Sequence, residues 1–210
     1  MRFAELDAVT VDGFGTLLRL VNPLEALRDV LLEHGLERDA TQIEAAFAAE
    51  AAHYRPHSHL GRDPQSLKAL RRDCAGVFLD AIGARVDPSD FAEPFVRALR
   101  FEAIPGAVET VERLRERGLR TAVVANWDVA LHEHLRELGL TRLFDAVVTS
   151  AEAGAPKPDP RIFELALARL GVPPTRALHV GDEPFDEEGA RAAGMRFAPA
   201  PLTTAFAGWT

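Results

Sequence analysis

The sequence predicts an α/β fold: a doubly wound, parallel sheet interrupted by an inserted bundle of helices. Three observations carry this expectation. Short apolar runs rich in Val and Ala recur at residues 8–12, 120–126, 144–150, 177–182 and 195–200, and from residue 101 onward strand and helix patterns alternate. Between Pro23 and about Arg100 the periodicity is helical throughout, with no convincing strand. With 210 residues, 47% of them hydrophobic, the chain can bury a sizeable core.

Each element follows from local signals. Val9 to Asp12 is a short β-branched run bounded by Gly13, which suits a buried parallel strand. In "NPLEALRDVLLEHG", Asn22 is the N-cap, Pro23 takes the first helical position and Gly35 is the stop. Further helices are expected over Ala40 to Tyr54, Pro64 to Ile82 and Pro88 to Arg100. After "IPGA", an amphipathic helix runs from Ala107 to Arg117, closed by Gly118. Next come the strand "RTAVVAN", a helix over Val129 to Leu138, the strand "FDAVVTS" and a helix in "PDPRIFELALARLG", capped by Asp159 with Pro160 inside it. The strand "ALHVGD", a short helix over Glu187 to Ala193 and a final strand "MRFAPA" complete the pattern. The expected division is a sheet core of residues 1–18 and 101–210 around a helical insert of residues 19–100.

Composition narrows the function. A net charge of −8 argues against nucleic acid as a standing partner, because a phosphate backbone needs a basic surface. A small anionic substrate remains compatible, since local charges in a cleft can oppose the global sign. The one cysteine, Cys74, forms no intramolecular disulfide and is expected as a buried small hydrophobe. No apolar run approaches the roughly 18 residues of a membrane span, and residues 1–12 lack a basic start and long apolar stretch. The expectation is a cytoplasmic protein with a small-molecule substrate, no membrane and no nucleic acid.

In open α/β sheets, function gathers at the carboxyl ends of the strands. Asp12, Asn126 and Asp182 lie at such ends, and Lys157 lies just past one. Taken singly, Asp12 could cap a turn, Asn126 close a loop, Lys157 be a solvated cation and Asp182 a turn acid. All four falling at strand ends is much harder to credit to chance.

The runs "DGFGTLL", "IPGAVETVERLRERGLRTAVVANWD", "FDAVVTSAEAGAPKPDPRIFELALARLG" and "LHVGDEPFDEEGARAAGM" give the chain, over nearly its whole length, a resemblance to the haloacid dehalogenase-like hydrolase superfamily. Within it the chain is similar to a subgroup sharing the "TS-E-G-PKPDPRIF" pattern. The resemblance implies a Rossmann-like core, an inserted α-helical cap and a covalent mechanism in which Asp12 is the nucleophile. It implies Mg²⁺ held by Asp12, Asp182 and the backbone carbonyl of Phe14, with Asp186 as a supporting acid and Lys157 holding the nucleophile and the substrate anion. Thr16, Ala125, Asn126 and Trp127 fall at substrate-binding positions.

Three departures from that pattern matter. Superfamily phosphatases carry a second Asp two residues after the nucleophile as general acid and base, and here that place is Phe14. Such help contributes roughly two to four powers of ten in rate. Metal-independent L-2-haloacid dehalogenases also place an aromatic residue there, so Phe14 points toward C–halogen hydrolysis, whereas the retained Asp182 points toward a phosphatase. The second departure is Ala125, where Ser or Thr is usual, with Asn126 as a partial substitute. The third is a loop "GDEPFDEEGA" one residue shorter between its acids, which leaves Glu183 and Glu187 competing with Asp186. A third reading is a catalytically degenerate binding or interaction protein on the same fold.

In the insert, "HYRPHSHL" places His53, His57 and His59 near Arg55. Pro56 argues against helical i, i+4 metal geometry, so a cap loop is expected, with His53 and Arg55 as candidate substrate contacts. Trp127 either lines the pocket or packs beneath the cap.

Overall fold

The computed structural model describes residues 3–207 and 209. Met1, Arg2, Gly208 and Thr210, which the sequence reading assigns to the sheet core, lie outside the described residues. Two compact units emerge, Met1–Arg19 with Glu102–Thr210 and Leu20–Phe101. In chain order the elements are β1 (Ala8–Val11), β2 (Leu18–Leu20), α1 (Pro23–Glu33), α2 (Ala40–His57), α3 (Pro64–Ala81), α4 (Pro88–Ala98), β3 (Phe101–Ala103), α5 (Ala107–Glu116) and β4 (Arg120–Ala125). They continue with α6 (Leu131–Glu137), β5 (Ala146–Thr149), α7 (Ser150–Ala153), α8 (Arg161–Leu170), β6 (Ala177–Gly181), α9 (Pro184–Ala192), β7 (Arg196–Pro199) and α10 (Leu202–Ala205).

The sheet unit is built on five parallel strands in the order β5-β4-β1-β6-β7. From β1 the chain moves to β4 and β5 on one side, then crosses to β6 and β7 on the other. The order therefore reverses beside β1, and in sheets of this kind ligands bind at the carboxyl ends of the strands at that point, here those of β1 and β6. Strand alternation sorts side chains onto two faces. Ala8, Ala122, Val124 and Ala177 share one face with Ile162, Phe163, Ala166 and Ala190 from α8 and α9. Val9, Val11, Val123, Leu178 and Val180 face the other way, are fully buried, and α5 packs on β4. Burial on both faces explains why these strands read as continuous apolar runs.

In the helical unit, α1 to α4 close on a core that includes Leu27, Leu31, Ile43, Phe78, Leu79, Phe91 and Phe95. The ring of Phe78 lies 5.8 Å from Phe91 and 5.0 Å from Phe95. Caps set the starts: Asp39 accepts from Gln42 N at 2.8 Å, Asp63 from Ser66 N at 2.9 Å, and Asp87 from Ser89 N at 2.8 Å. Cys74 is buried and forms no disulfide.

Several local expectations give way. The stretch around His53 is helix, not loop, because α2 continues through Pro56 to His57. A proline this close to the end removes one hydrogen bond of the last turn, and the His57 ring Nδ1 bonds the His53 carbonyl at 2.7 Å. Asn22 precedes α1 in the left-handed region, φ 44°, and its side chain makes no cap bond. Helix α6 starts two residues late because Asp128 Oδ1 takes Ala130 N at 2.8 Å in a turn. Pro160 stands at the N-cap position of α8, and Asp159 supports the start by accepting from Arg161 N at 3.0 Å. Helix α9 begins three residues early, at Pro184, whose fixed φ suits the first turn. The β2–β3 ribbon is an addition that the sequence patterns do not announce.

Candidate active site at the carboxyl ends of the sheet

Ionisable groups gather at the carboxyl ends of β1 and β6, and every one described here belongs to the sheet unit. Asp12 follows β1 directly and stays in the ladder, its N–H donating to Val180 O at 2.9 Å. It is buried, as are Lys157 and Asp186, whereas Asp182 after β6 is exposed. Lys157 Nζ makes ion pairs with Asp12 Oδ1 and with Asp186 Oδ1, the latter at 2.5 Å. Its third contact is the Val124 carbonyl at 3.0 Å. All three ammonium protons are thus spoken for, and the solvated-cation reading of Lys157 is excluded. Burial works against its charge, but Asp12 and Asp186 raise its pKa above the ordinary lysine value.

The two buried acids differ. Burial pushes Asp12 up to about 7; Lys157 opposes this and the Asp186 charge adds to it. Asp186 also suffers from burial, but the hydrogen bond from His179 and the charge of Lys157 hold it at about 2. One oxygen from each of Asp12, Asp182 and Asp186 lies within 4.8 Å of the others. Three carboxylates and one ammonium leave a net deficit of positive charge. Hard oxygen donors of this kind suit Mg²⁺, which takes one or two carboxylates and keeps several waters.

Two glycines make this geometry possible. Gly15 has φ +88°, and a Cβ there would run into the Asp182 carboxylate. A Cβ on Gly181 would collide with the carboxyl of Asp186. Thr16, almost fully buried, donates its hydroxyl to Asp182 Oδ1 at 3.0 Å.

Other expected residues take more specific places. Asn126 spends its side chain on the backbone of Lys157: Oδ1 accepts from Lys157 N at 2.6 Å and Nδ2 donates to Lys157 O at 3.2 Å. It therefore anchors the lysine loop, and its amide is not standing free in place of a hydroxyl at Ala125. Trp127 is buried, its carbonyl accepting from Ser150 Oγ at 3.0 Å. Ala125 is fully packed, and a Cβ on Gly13 would come within 2.9 Å of its methyl. Phe14 is 44% exposed, too open to be explained by core packing. Glu183 precedes α9, and its N–H donates to Asp186 Oδ2 at 3.1 Å. Asp186, not Glu183 or Glu187, is the acid that joins the cluster. His53 and Arg55 are on α2 in the helical unit, where the His53 and His57 rings lie 4.5 Å apart.

Sequence reasoning missed two residues. His179 in β6 is fully buried, its Nδ1 2.8 Å from Thr10 Oγ1 and its Nε2 3.2 Å from Asp186 Oδ1. Burial pushes its pKa below the ordinary histidine value. The available signal was a polar residue inside each of two apolar runs, "AVTVD" and "ALHVGD".

A doubly wound sheet with paired acids and a buried lysine at its switch point defines a class of hydrolase-like α/β proteins. Residues 6–194 match the family model described as haloacid dehalogenase-like hydrolase, and the chain belongs to that family. It is 36% identical over 205 residues to the human haloacid dehalogenase-like hydrolase domain-containing protein 3, covering 91% of this chain and 80% of that one. It is 41% identical over 127 residues to a phosphoserine phosphatase of Thermus thermophilus, covering 57% of this chain and 51% of that one. Among solved structures it is similar to an L-2-haloacid dehalogenase from Xanthobacter autotrophicus with chloropropionic acid covalently bound. There the TM-score is 0.69 at 23% identity, over 96% of this chain and 87% of that one. Among the described residues, no helix is long and apolar enough to cross a membrane.

Proposed function

We propose that this hydrolase cleaves a small, anionic phosphorylated compound in a Mg²⁺-dependent reaction, in the cytoplasm, with Asp12 as the nucleophile. The observation that carries the reading is the Asp12, Asp182, Asp186 oxygen cluster with Lys157 bridging two of its members. A carboxylate oxygen of Asp12 attacks phosphorus, the bond to the leaving oxygen breaks, and an aspartyl phosphate forms. Water then cleaves that intermediate, returning the carboxylate and releasing inorganic phosphate. Asp12, Asp182, Asp186 and the Phe14 carbonyl are the groups that would hold Mg²⁺. Bound there, Mg²⁺ would supply positive charge to the phosphoryl oxygens. Lys157 orients Asp12 and favours its ionised form, and Asn126 holds the Lys157 backbone in place.

Phe14 sets the limit on the substrate. It has no proton to give, so the reading favours leaving groups that depart without protonation, such as acyl or aryl phosphates. The same residue supports a second reading, hydrolysis of a 2-haloacid, in which halide leaves as the anion. Phosphate release from a panel of phosphorylated metabolites and p-nitrophenyl phosphate, with Mg²⁺ and with EDTA, separates the two. Metal-dependent release that falls at least about 10³-fold in Asp12→Asn supports the phosphatase. Chloride release from 2-chloropropionate in EDTA, with no phosphate released anywhere, supports the dehalogenase. Silence in both assays, unchanged by Asp12→Asn, leaves a binding protein.

A further inference from the structure

His179 does not need to be a histidine for packing. Its ring stands edge-on to Phe163 at 4.9 Å, on the sheet face that also carries Ala8, Ala122, Val124 and Ala177. An aliphatic side chain would suit such surroundings, and burying two ring nitrogens is costly unless both are partnered. Both are, and the partners lead toward the acids. Thr10 and His179 are direct neighbours in the β1–β6 register, two residues before Asp12 and three before Asp182.

The proton inventory fixes the direction of the bonds. Asp186 is ion-paired to Lys157 on Oδ1 and accepts from the Glu183 amide on Oδ2, so it meets His179 as an acceptor and the hydrogen sits on Nε2. With Nε2–H occupied in a neutral ring, Nδ1 accepts from the Thr10 hydroxyl. Asp186 then receives three donors: Lys157 Nζ at 2.5 Å and His179 Nε2 at 3.2 Å on one oxygen, and Glu183 N at 3.1 Å on the other. Three of about four acceptor positions are filled in fixed directions. Without Nε2–H, Asp186 is held only by Lys157 and one backbone amide, and it competes harder for the ammonium that also serves Asp12.

We infer that His179 is a positioning residue: held by Thr10, it locks the Asp186 carboxylate so that Lys157 stays bridged to Asp12 and the three-acid cluster keeps its shape for a divalent cation. The inference rests on the phosphatase reading above. It assigns a role to a side chain that touches no reacting atom, and partners of this kind typically change metal affinity or activity by about 10- to 100-fold.

Two near-isosteric amides separate the functions of the ring. His179→Gln places an NH₂ where Nε2 was and can still donate to Asp186. His179→Asn places its amide where Nδ1 was, bonds Thr10 and leaves Asp186 without the donor. Both keep a polar group in the site, and urea unfolding identifies any variant that fails to fold. The readouts are Mg²⁺ binding to the metal-free protein by calorimetry, and kcat and KM for p-nitrophenyl phosphate. The expected result is that Asn weakens Mg²⁺ binding and lowers kcat by about 10- to 100-fold with KM changed little, while Gln recovers most of both. Folded Asn and Gln variants that match each other in Mg²⁺ affinity and kcat overturn the inference and leave the phosphatase reading standing. A wild-type protein that neither binds Mg²⁺ nor releases phosphate overturns both. If Asn does not fold, Thr10→Val takes its place, since it frees the ring to turn away from Asp186; an unchanged Mg²⁺ affinity there also overturns the inference.

Discussion

Each unit buries an acid deep among its neighbours, Asp186 in the sheet unit and Glu50 in the helical unit, and these two settle in opposite ways. In the sheet unit, Asp186 is buried among an ammonium, an imidazole N–H and a backbone amide, and is held at about 2. In the helical unit, Glu50 on α2 is buried against the Cys74 thiol on α3, and burial pushes it up to about 7. A thiol is a weak donor without charge and offsets little of the desolvation. Burial alone therefore does not decide whether an acid is charged; the donors built around it do. Asp186 keeps its charge among these donors, whereas Glu50, which lacks a charged donor, is pushed up, as is Asp12, which shares Lys157 with Asp186.

The largest effect is expected from removing the shared cation. Lys157→Met keeps the volume but leaves Asp12 and Asp186 facing each other without a counter-charge. Breaking a buried pair in this way costs about 3–5 kcal/mol. Urea unfolding at neutral pH measures it; a loss below about 1 kcal/mol, the scale of an exposed pair, would show that the bridge is far more solvated than its geometry implies.

Next is the pH dependence due to Glu50. Its folded pKa, about 7, is above the ordinary 4.5, so the folded state holds the proton more tightly than the unfolded chain. This stability is fully present below pH 4.5 and is lost as pH rises through about 7, by about 3 kcal/mol in all. Glu50→Gln removes that term. The difference in unfolding free energy between variant and wild type should therefore move in the variant's favour from pH 4.5 to pH 8. A difference that stays constant across that range contradicts the assignment.

The smallest effect is expected at the site's open edge. Phe14→Asp restores a proton donor and should raise turnover of an alkyl phosphate by about 10-fold or more, with much less gain for p-nitrophenyl phosphate. Equal gains for both substrates would show that proton supply is not what limits the wild-type enzyme.

Legibility in the sequence followed the range of the interaction. Asp12, Lys157 and Asp182 stand out because each closes or follows a short apolar run, a pattern visible within a few residues. Cap and turn chemistry also reads locally, as at Asp39, Asp63 and Asp87. Asn126 was visible as a strand-end residue, but its use was not, because the Lys157 backbone it holds is 31 positions away. The β2–β3 ribbon escaped because three-residue strands leave almost no periodic signal and pair across some eighty residues. The helix through Pro56 escaped because proline reads as a breaker, although near a helix end it removes a single bond.

The alternation of strands and helices, the helical insert, the acid after β1 and the absence of a second acid at Phe14 all follow from the residues alone. These are matters of residue type and short-range spacing. Long-range packing selects the acid that joins Asp12 and Asp182, spends Lys157 on two carboxylates at once, and lets Thr10 and His179 connect β1 to the cluster. The β1–β6 register decides the last of these, and the register comes from packing the whole sheet.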